Sequence, residues 1–155
     1  MNATLDETAN AQDPSWHKPS LHVTIVTGER IVYDGVADGL TAPSLWGSIT
    51  ILPDHAPLLA ILEPGELDIR LGNQEESLAV GGGFCEVLDN EVIVLADTAE
   101  RAAEIDAERA EAAQMRAQML AARYRDRPEI AAGHRQALLR NRARLRVARK
   151  AARRR

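Results

Sequence analysis

The apolar period of this chain changes once, at Asp97-Thr98, and that change constrains the fold more than any other feature. Before it, apolar and polar residues alternate in short runs. Leu21, Val23 and Ile25 flank His22 and Thr24, Ile31-Val32-Tyr33 lies between Gly28 and Gly35, and Ile49 and Ile51 flank Thr50. A period of two puts one face of each run into a core, so these runs read as strands. Similar runs follow at 58–62, 67–71, 77–80, 84–88 and 92–95, with turn signals at Gly72-Asn73 and Asp89-Asn90. Many short strands with frequent turns favour a sandwich or barrel over a parallel βαβ sheet. With one Phe, two Tyr and two Trp in the chain, the core must be built mainly from Val, Ile and Leu.

After Thr98 the sequence turns to Ala, Glu, Arg, Met and Leu, all strong helix formers. Thr98 fits an N-cap, and Glu100 would lie in a first turn where the helix dipole favours an anion. The helix is expected over 99–124 and should stop before Pro128, because the residue before a proline disfavours helix. A second helix is expected from about 128 or 129 to 152, with Gly133 inside it at a cost of about 1 kcal/mol relative to Ala. The fold class is therefore α+β, an N-terminal all-β sandwich followed by a C-terminal two-helix antiparallel hairpin. Its expected parts are a flexible extension over 1–19, the sandwich over 20–98 and the hairpin over 99–155. In the extension only Trp16 stands out, as an aromatic that could pack on the sandwich edge.

Charge is also uneven along the chain, with the break inside the expected first helix. Residues 1–111 carry five Lys or Arg against 21 Asp or Glu, a net −16. Residues 112–155 carry 14 basic and two acidic side chains, a net +12. So basic a tail seeks an anionic partner: a nucleotide, a nucleic acid, a membrane surface or an acidic protein face. Cys85 is the only cysteine, which excludes an internal disulfide and a Cys-based metal site. The acidic, polar start is the opposite of a secretion signal. No apolar run approaches the roughly 18–20 residues of a membrane span, so direct membrane insertion is not expected.

Two stretches invite a chemical reading. Gly81-Gly82-Gly83 could suggest a phosphate cradle, but such a cradle needs a helix start after the glycines, and a strand follows. The run fits a bulge or a close backbone approach between strands. Asp54 and His55 are adjacent, yet no nucleophile, metal set or cofactor loop accompanies them, so a structural or subunit-contact role is expected in place of catalysis.

The hairpin is richer. With about 100° per residue and Ile105 set to zero, Ala112, Met119 and Leu120 fall within roughly 60° of it and define an apolar face. Arg109, Arg116 and Arg123 fall in the middle of that face, with Asp106 beside them. Either these side chains snorkel out of a loose seam, or the seam encloses an anion. The second helix has a thin stripe of Ala131, Leu138 and Leu145, interrupted by Arg135, Arg142 and Arg149, with Arg140 and Arg144 one turn apart on another side. So thin a stripe predicts marginal docking and a movable element.

Residues 47–58 read Gly-Ser-Ile-Thr-Ile-Leu-Pro-Asp-His-Ala-Pro-Leu, a strand ending in a loop fixed by Pro53 and Pro57. This run resembles the G-x-x-x-I-L-P and x-H-x-P-L signature of the epsilon subunit of the bacterial F-type ATP synthase. Gly82-Gly83-Phe84, the charged turn Asp89-Asn90-Glu91 and Leu95-Ala96 resemble the same family. The chain departs at solvent-facing Ser48, where the family usually has Glu. The resemblance covers about residues 20–148. It implies a non-catalytic central-stalk subunit on the cytoplasmic face of the bacterial membrane. Its partners would be the gamma subunit, the c-subunit ring and, through the C-terminal helices, the alpha/beta catalytic head. The subunit would couple proton-driven rotation to ATP synthesis, and the hairpin would regulate ATP hydrolysis, permitting turnover when folded down and impeding it when extended.

The run from Ile105 to Ala110 also resembles the I/L-D-x-x-R-A motif by which some of these subunits bind ATP. The implied ATP-binding set is Glu100, Asp106, Arg109, Arg116, Arg140 and Arg144, and Asp54 and His55 form a candidate subunit-contact loop. The connecting loop with Pro128 and Gly133 departs from the family pattern. ATP would be a regulatory ligand, with no obligatory cofactor and no metal. The competing reading is an arginine-tailed nucleic-acid-binding protein. It is weakened because, beyond Tyr124, no aromatics are interleaved to stack on bases.

Overall fold

The computed structural model describes residues 20–154; the expected extension, Trp16 included, lies outside the described residues. Eight strands come first: β1 (Leu21–Val26), β2 (Ile31–Ala37), β3 (Gly39–Ser44), β4 (Gly47–Ile51), β5 (Leu58–Leu71), β6 (Gln74–Leu88), β7 (Glu91–Ala96) and β8 (Ala99–Arg101). A 3-10 turn (Ala102–Glu104) leads to α1 (Ala107–Arg123) and α2 (Pro128–Arg153). The strands hydrogen-bond in the order β2-β1-β7-β6-β5-β3-β4, with β8 added beside β6. Neighbours are antiparallel except for β1 and β7.

The sandwich arises because β5 and β6 are long and change face midway. In β5 the buried residues are Ala60 and Leu62, then Leu67 and Ile69, so the inward parity flips from even to odd. The flip falls at Glu63, which the β5–β6 register skips between Leu62↔Gly83 and Pro64↔Gly81. Gly82 is skipped with it, so the register is the same on both sides, and the two strands turn together to present their other face to the core. β6 makes the complementary change from Leu78 and Val80 to Cys85 and Val87. The sheet therefore bends over a single core of Leu, Val and Ile to which β1 through β7 contribute. The sequence expectation of four strands over 58–71 and 74–88 is corrected to two: Pro64-Gly65 and the Gly81–Gly83 run punctuate the strands by bending them, not by ending them. Of the three glycines, Gly83 makes the closest approach to another strand's backbone. Its φ is +129°, and a Cβ there would stand 2.0 Å from the Leu95 carbonyl oxygen. The glycine run is thus a close backbone approach. The Asp89-Asn90 turn has both residues at positive φ, as a two-residue hairpin requires.

Two expectations fail at the junction. Thr98 does not cap a helix: Ala99–Arg101 pair with Leu78, Ala79 and Val80 as β8, and α1 begins at Ala107. The edge of β6 offers unpaired backbone groups there, and pairing with them outweighs the helix propensity of three residues. β3 was also not anticipated, because Pro43 and the flanking Gly39 break its strand pattern.

The arginine-in-the-seam expectation is corrected as well. Ile105 precedes α1, so it does not set the phase of the helix. The residues α1 turns to α2 are Ala110 and Ala117, buried, with Ala113, Leu120 and Tyr124 half-buried. Ala112 and Met119 are exposed, and so are Arg109, Arg116 and Arg123. Recounted from Ala110, these three arginines lie at roughly −100° to −140°, on the flank of the seam. α2 buries two faces. Ala131 and Leu145 serve the helix pair, while Ala143 and Val147 meet Ala79 on the sheet.

A candidate anion-binding cleft between hairpin and sheet

Four segments converge where the hairpin leaves the sandwich. β8 supplies Glu100, the 3-10 turn supplies Glu104, the first turns of α1 supply Asp106, Arg109 and Arg116, and α2 supplies Asn141 and Arg144. With Ala110 and Ala113 they line an open cleft of about 470 Å³. Small alanines on α1 leave this room, and the strand at 99–101 fixes its floor.

Each ionic group has a definite state. Arg144 is committed to Glu100: its Nε donates to both carboxylate oxygens at 3.0 and 3.1 Å, and Nη2 donates to Oε1 at 2.5 Å. Nη1 donates to Asn141 Oδ1 at 3.1 Å, and the buried Asn141 amide donates to the Ala137 carbonyl at 2.9 Å. Two parallel guanidinium–carboxylate bonds make this a geometrically specific pair. Glu104 is also committed. It accepts from the Arg101 backbone N–H at 2.8 Å and from Arg30 Nη2 at 2.5 Å, and these contacts hold its carboxyl below the usual 4.5. Asp106 caps α1, accepting from the Arg109 N–H at 2.9 Å. Arg109 and Arg116 remain. Seven residues apart, they project from one side of α1 about 10 Å apart along its axis. Neither guanidinium has an ion pair among the described residues. The cleft is thus acidic and satisfied on one wall and cationic with spare donors on the other, an arrangement that accepts a polyanion.

Of the six residues in the expected site, five line this cleft: Glu100, Asp106, Arg109, Arg116 and Arg144. Arg140 does not. Its Cδ lies 3.4 Å from where a Cβ on Gly81 would stand, beside Thr98. Sequence reading missed Glu104 and Asn141. The signal for Glu104 was its place three residues after Arg101, the spacing of a capping box; Asn141 gave none. In the Asp54-His55 loop, Asp54 has φ 63° and is tied to the β6–β7 turn. Its N–H donates to Asn90 Oδ1 at 2.6 Å, and Asn90 Nδ2 donates to Asp54 Oδ1 at 3.1 Å. His55 Nδ1 lies 2.7 Å from the Ala56 carbonyl; since a carbonyl only accepts, the proton sits on Nδ1. Among the described residues no cluster of acidic, His or Cys side chains could hold a metal, and no helix is long and apolar enough to cross a membrane.

Fold and cleft together define a sheet domain carrying a helical hairpin that meets it largely through charge. Comparison with known proteins gives that class a family. Residues 20–102 match the model of the β-sandwich domain of the ATP synthase delta/epsilon chain. The ATP synthase epsilon chain of Herpetosiphon aurantiacus is 47% identical over 128 residues, 83% of this chain and 93% of that one. That of Roseiflexus sp. is 56% identical over 93 residues, 60% of this chain and 67% of that one. A chain in the cryo-EM structure of the Euglena gracilis mitochondrial ATP synthase (OSCP/F1/c-ring, rotational state 1) shares the fold, with a TM-score of 0.70. It is 19% identical, covering 98% of this chain and 90% of that one. This chain belongs to the epsilon-chain family of ATP synthases.

Proposed function

We propose that this chain is a non-catalytic central-stalk subunit of a proton-driven F-type ATP synthase, held peripherally at the cytoplasmic face of the bacterial membrane. Its sandwich anchors the complex, and its hairpin regulates ATP hydrolysis. Family membership supports the stalk role, and the surface of the sheet supplies a place for it. Ile61, Phe84 and Leu95 lie in one cross-strand row, and in the next Leu59 and Ile93 stand on either side of exposed Glu86; the five apolar side chains are 42–72% exposed. A contiguous apolar face of this kind is what a protein partner covers, and we assign it to the gamma subunit. Leu45 and the 81%-exposed Trp46 stand at one end of β4, and the Asp54-His55 loop follows its other end. The sandwich therefore offers separate contacts to its neighbours, the c-subunit ring among them. Phe84→Asp should weaken capture by the gamma subunit at least about tenfold, through a buried charge, while leaving the sandwich folded.

The regulatory reading rests on one observation: two guanidiniums without an ion pair among the described residues, Arg109 and Arg116, face a cleft whose other walls are β8 and α2. The cleft exists only while the hairpin lies on the sheet. A nucleotide triphosphate bound there, ATP in this reading, favours the docked hairpin by its affinity for that state alone. Undocked, the arginine-rich α2 is free to meet acidic faces of the catalytic head and impede hydrolysis. Calorimetric titration of the full chain with ATP tests this. Saturable binding that Arg109→Ala or Arg116→Ala weakens at least about tenfold is expected for charged contacts. Absence of binding at millimolar ATP overturns the nucleotide site.

A further inference from the structure

The hairpin has a second attachment, well away from the cleft. Near the C-terminus of α2, Lys150 Nζ donates to Glu66 Oε1 at 2.7 Å, Asp68 Oδ1 at 2.8 Å and Glu75 Oε1 at 2.6 Å. An ammonium has three protons, and here each meets a different carboxylate. The carboxylates come from β5 and β6 and are held in place. Ser77 Oγ donates to Asp68 Oδ1 at 2.5 Å, while Arg154 donates to Glu75 through both its side-chain and its backbone oxygen. The side chains of Lys150, Glu66 and Asp68 are 12–29% exposed. Burial alone would lower the lysine's pKa, but the three carboxylates overcome it and hold the ammonium above its ordinary 10.5.

Apolar contact between α2 and the sheet is thin: Ala79, Ala143 and Val147 are buried, with Ala102 and Ile105 packed beside them. Two alanines and a valine bury little area, so hydrophobic burial offers only a few kcal/mol at most. Without an ammonium, three converging carboxylates repel one another. We propose that Lys150 is an ionic latch: seated among Glu66, Asp68 and Glu75, it sets how firmly the C-terminal half of α2 stays on the sandwich, with or without a ligand in the cleft. Release exposes Lys150 and frees the already exposed Arg154 from Glu75, beside the exposed stripe of Arg142, Arg146, Arg149 and Arg153. The hairpin's cations then exchange carboxylates on its own sheet for carboxylates on an acidic partner. The latch concerns the nucleotide-free chain and stands even where the cleft binds nothing.

Hydrogen exchange of the full chain without nucleotide tests it. At low salt, near 0.05 M NaCl, Lys150→Gln should speed exchange over residues 143–153 about tenfold, with β1 and β7 amides unchanged. Gln keeps the helix propensity. Asp68→Asn, which leaves α2 untouched, should act in the same direction. Raising NaCl to about 0.5 M should speed this segment in the wild type and much less in Lys150→Gln. Wild-type protection in Lys150→Gln, or an effect of Lys150→Gln that Asp68→Asn does not share, overturns the latch. Should Lys150→Gln also unfold the sandwich, the wild-type salt response decides: protection over 143–153 that is indifferent to salt overturns it.

Discussion

Asp106 shows how one side chain carries two readings. By resemblance it belongs to a nucleotide motif; in the structure it caps α1 through the Arg109 N–H. Asp106→Ala should therefore destabilise α1 by about 1 kcal/mol even without nucleotide, read as faster amide exchange in its first turn. Unchanged exchange there would return Asp106 to a purely ligand-binding role. Cys85 makes a second residue-scale prediction. It is fully buried, and burial pushes its thiol up to about 11. In the native chain at pH 8 it should resist alkylation and react only after unfolding; rapid labelling would contradict its place in the core. What the sequence could not reveal at this scale was phase. Counted from Ile105, which precedes α1, the three arginines look central; Ala110 and Ala117 mark the face that packs, and counted from these the arginines fall on the flank. Their types and spacing were legible, and the resemblance grouped Glu100 and Arg144 with them; Glu104 and Asn141 were missed, because a 3-10 turn and a second helix bring them to the cleft.

Strands were the most legible elements, since a half-buried strand writes its own period into the chain. Their lengths were not. A bend inside a strand looks like punctuation in sequence, and Gly81–Gly83 marks one that only the facing strand explains. Gly83→Ala should be among the most damaging single changes in the sandwich, because it combines a positive φ with a Cβ 2.0 Å from Leu95 O. A loss of about 3 kcal/mol or more in denaturant unfolding is expected. Near-neutral behaviour would mean the backbone there can relax. β8 was illegible for a different reason: three residues of good helix formers become strand because an edge of β6 lies beside them, a tertiary effect with no local signature.

For the whole molecule, unlike charges on the sandwich and on the hairpin are what hold the two together. The acidic sandwich holds the basic hairpin through Glu100–Arg144 at one end and the Lys150 cluster at the other. This gives docking a pH window. Glu75, held down by Lys150 and then Arg154, and Glu104, held down by Arg101 and then Arg30, both lie below their ordinary 4.5. The contribution of Glu75 to docking, and that of Glu104 to the 3-10 turn leading into the hairpin, are present above 4.5 and lost as pH falls through their lowered values. Lys150, raised above 10.5, contributes fully below that pH and loses its contribution as pH rises through the raised value. A spin-label pair spanning sheet and α2 should therefore report separation at the acid end; a distance unchanged between about pH 7 and pH 3 would show that these carboxylates do not hold the hairpin.

In the function proposed above, the docked hairpin is the permissive state of a stalk subunit. Ala79 and Ala143 pack in one small cluster between sheet and helix, so Ala79→Cys with Ala143→Cys offers a disulfide that fixes α2 in place, with buried Cys85 a poor competitor. The most direct measurement is ATP hydrolysis by a synthase assembled with this double variant, before and after reduction. Faster hydrolysis with the hairpin locked, slowing once the disulfide is reduced, is the predicted result. A rate indifferent to reduction, or one that rises on release of the hairpin, would contradict the account.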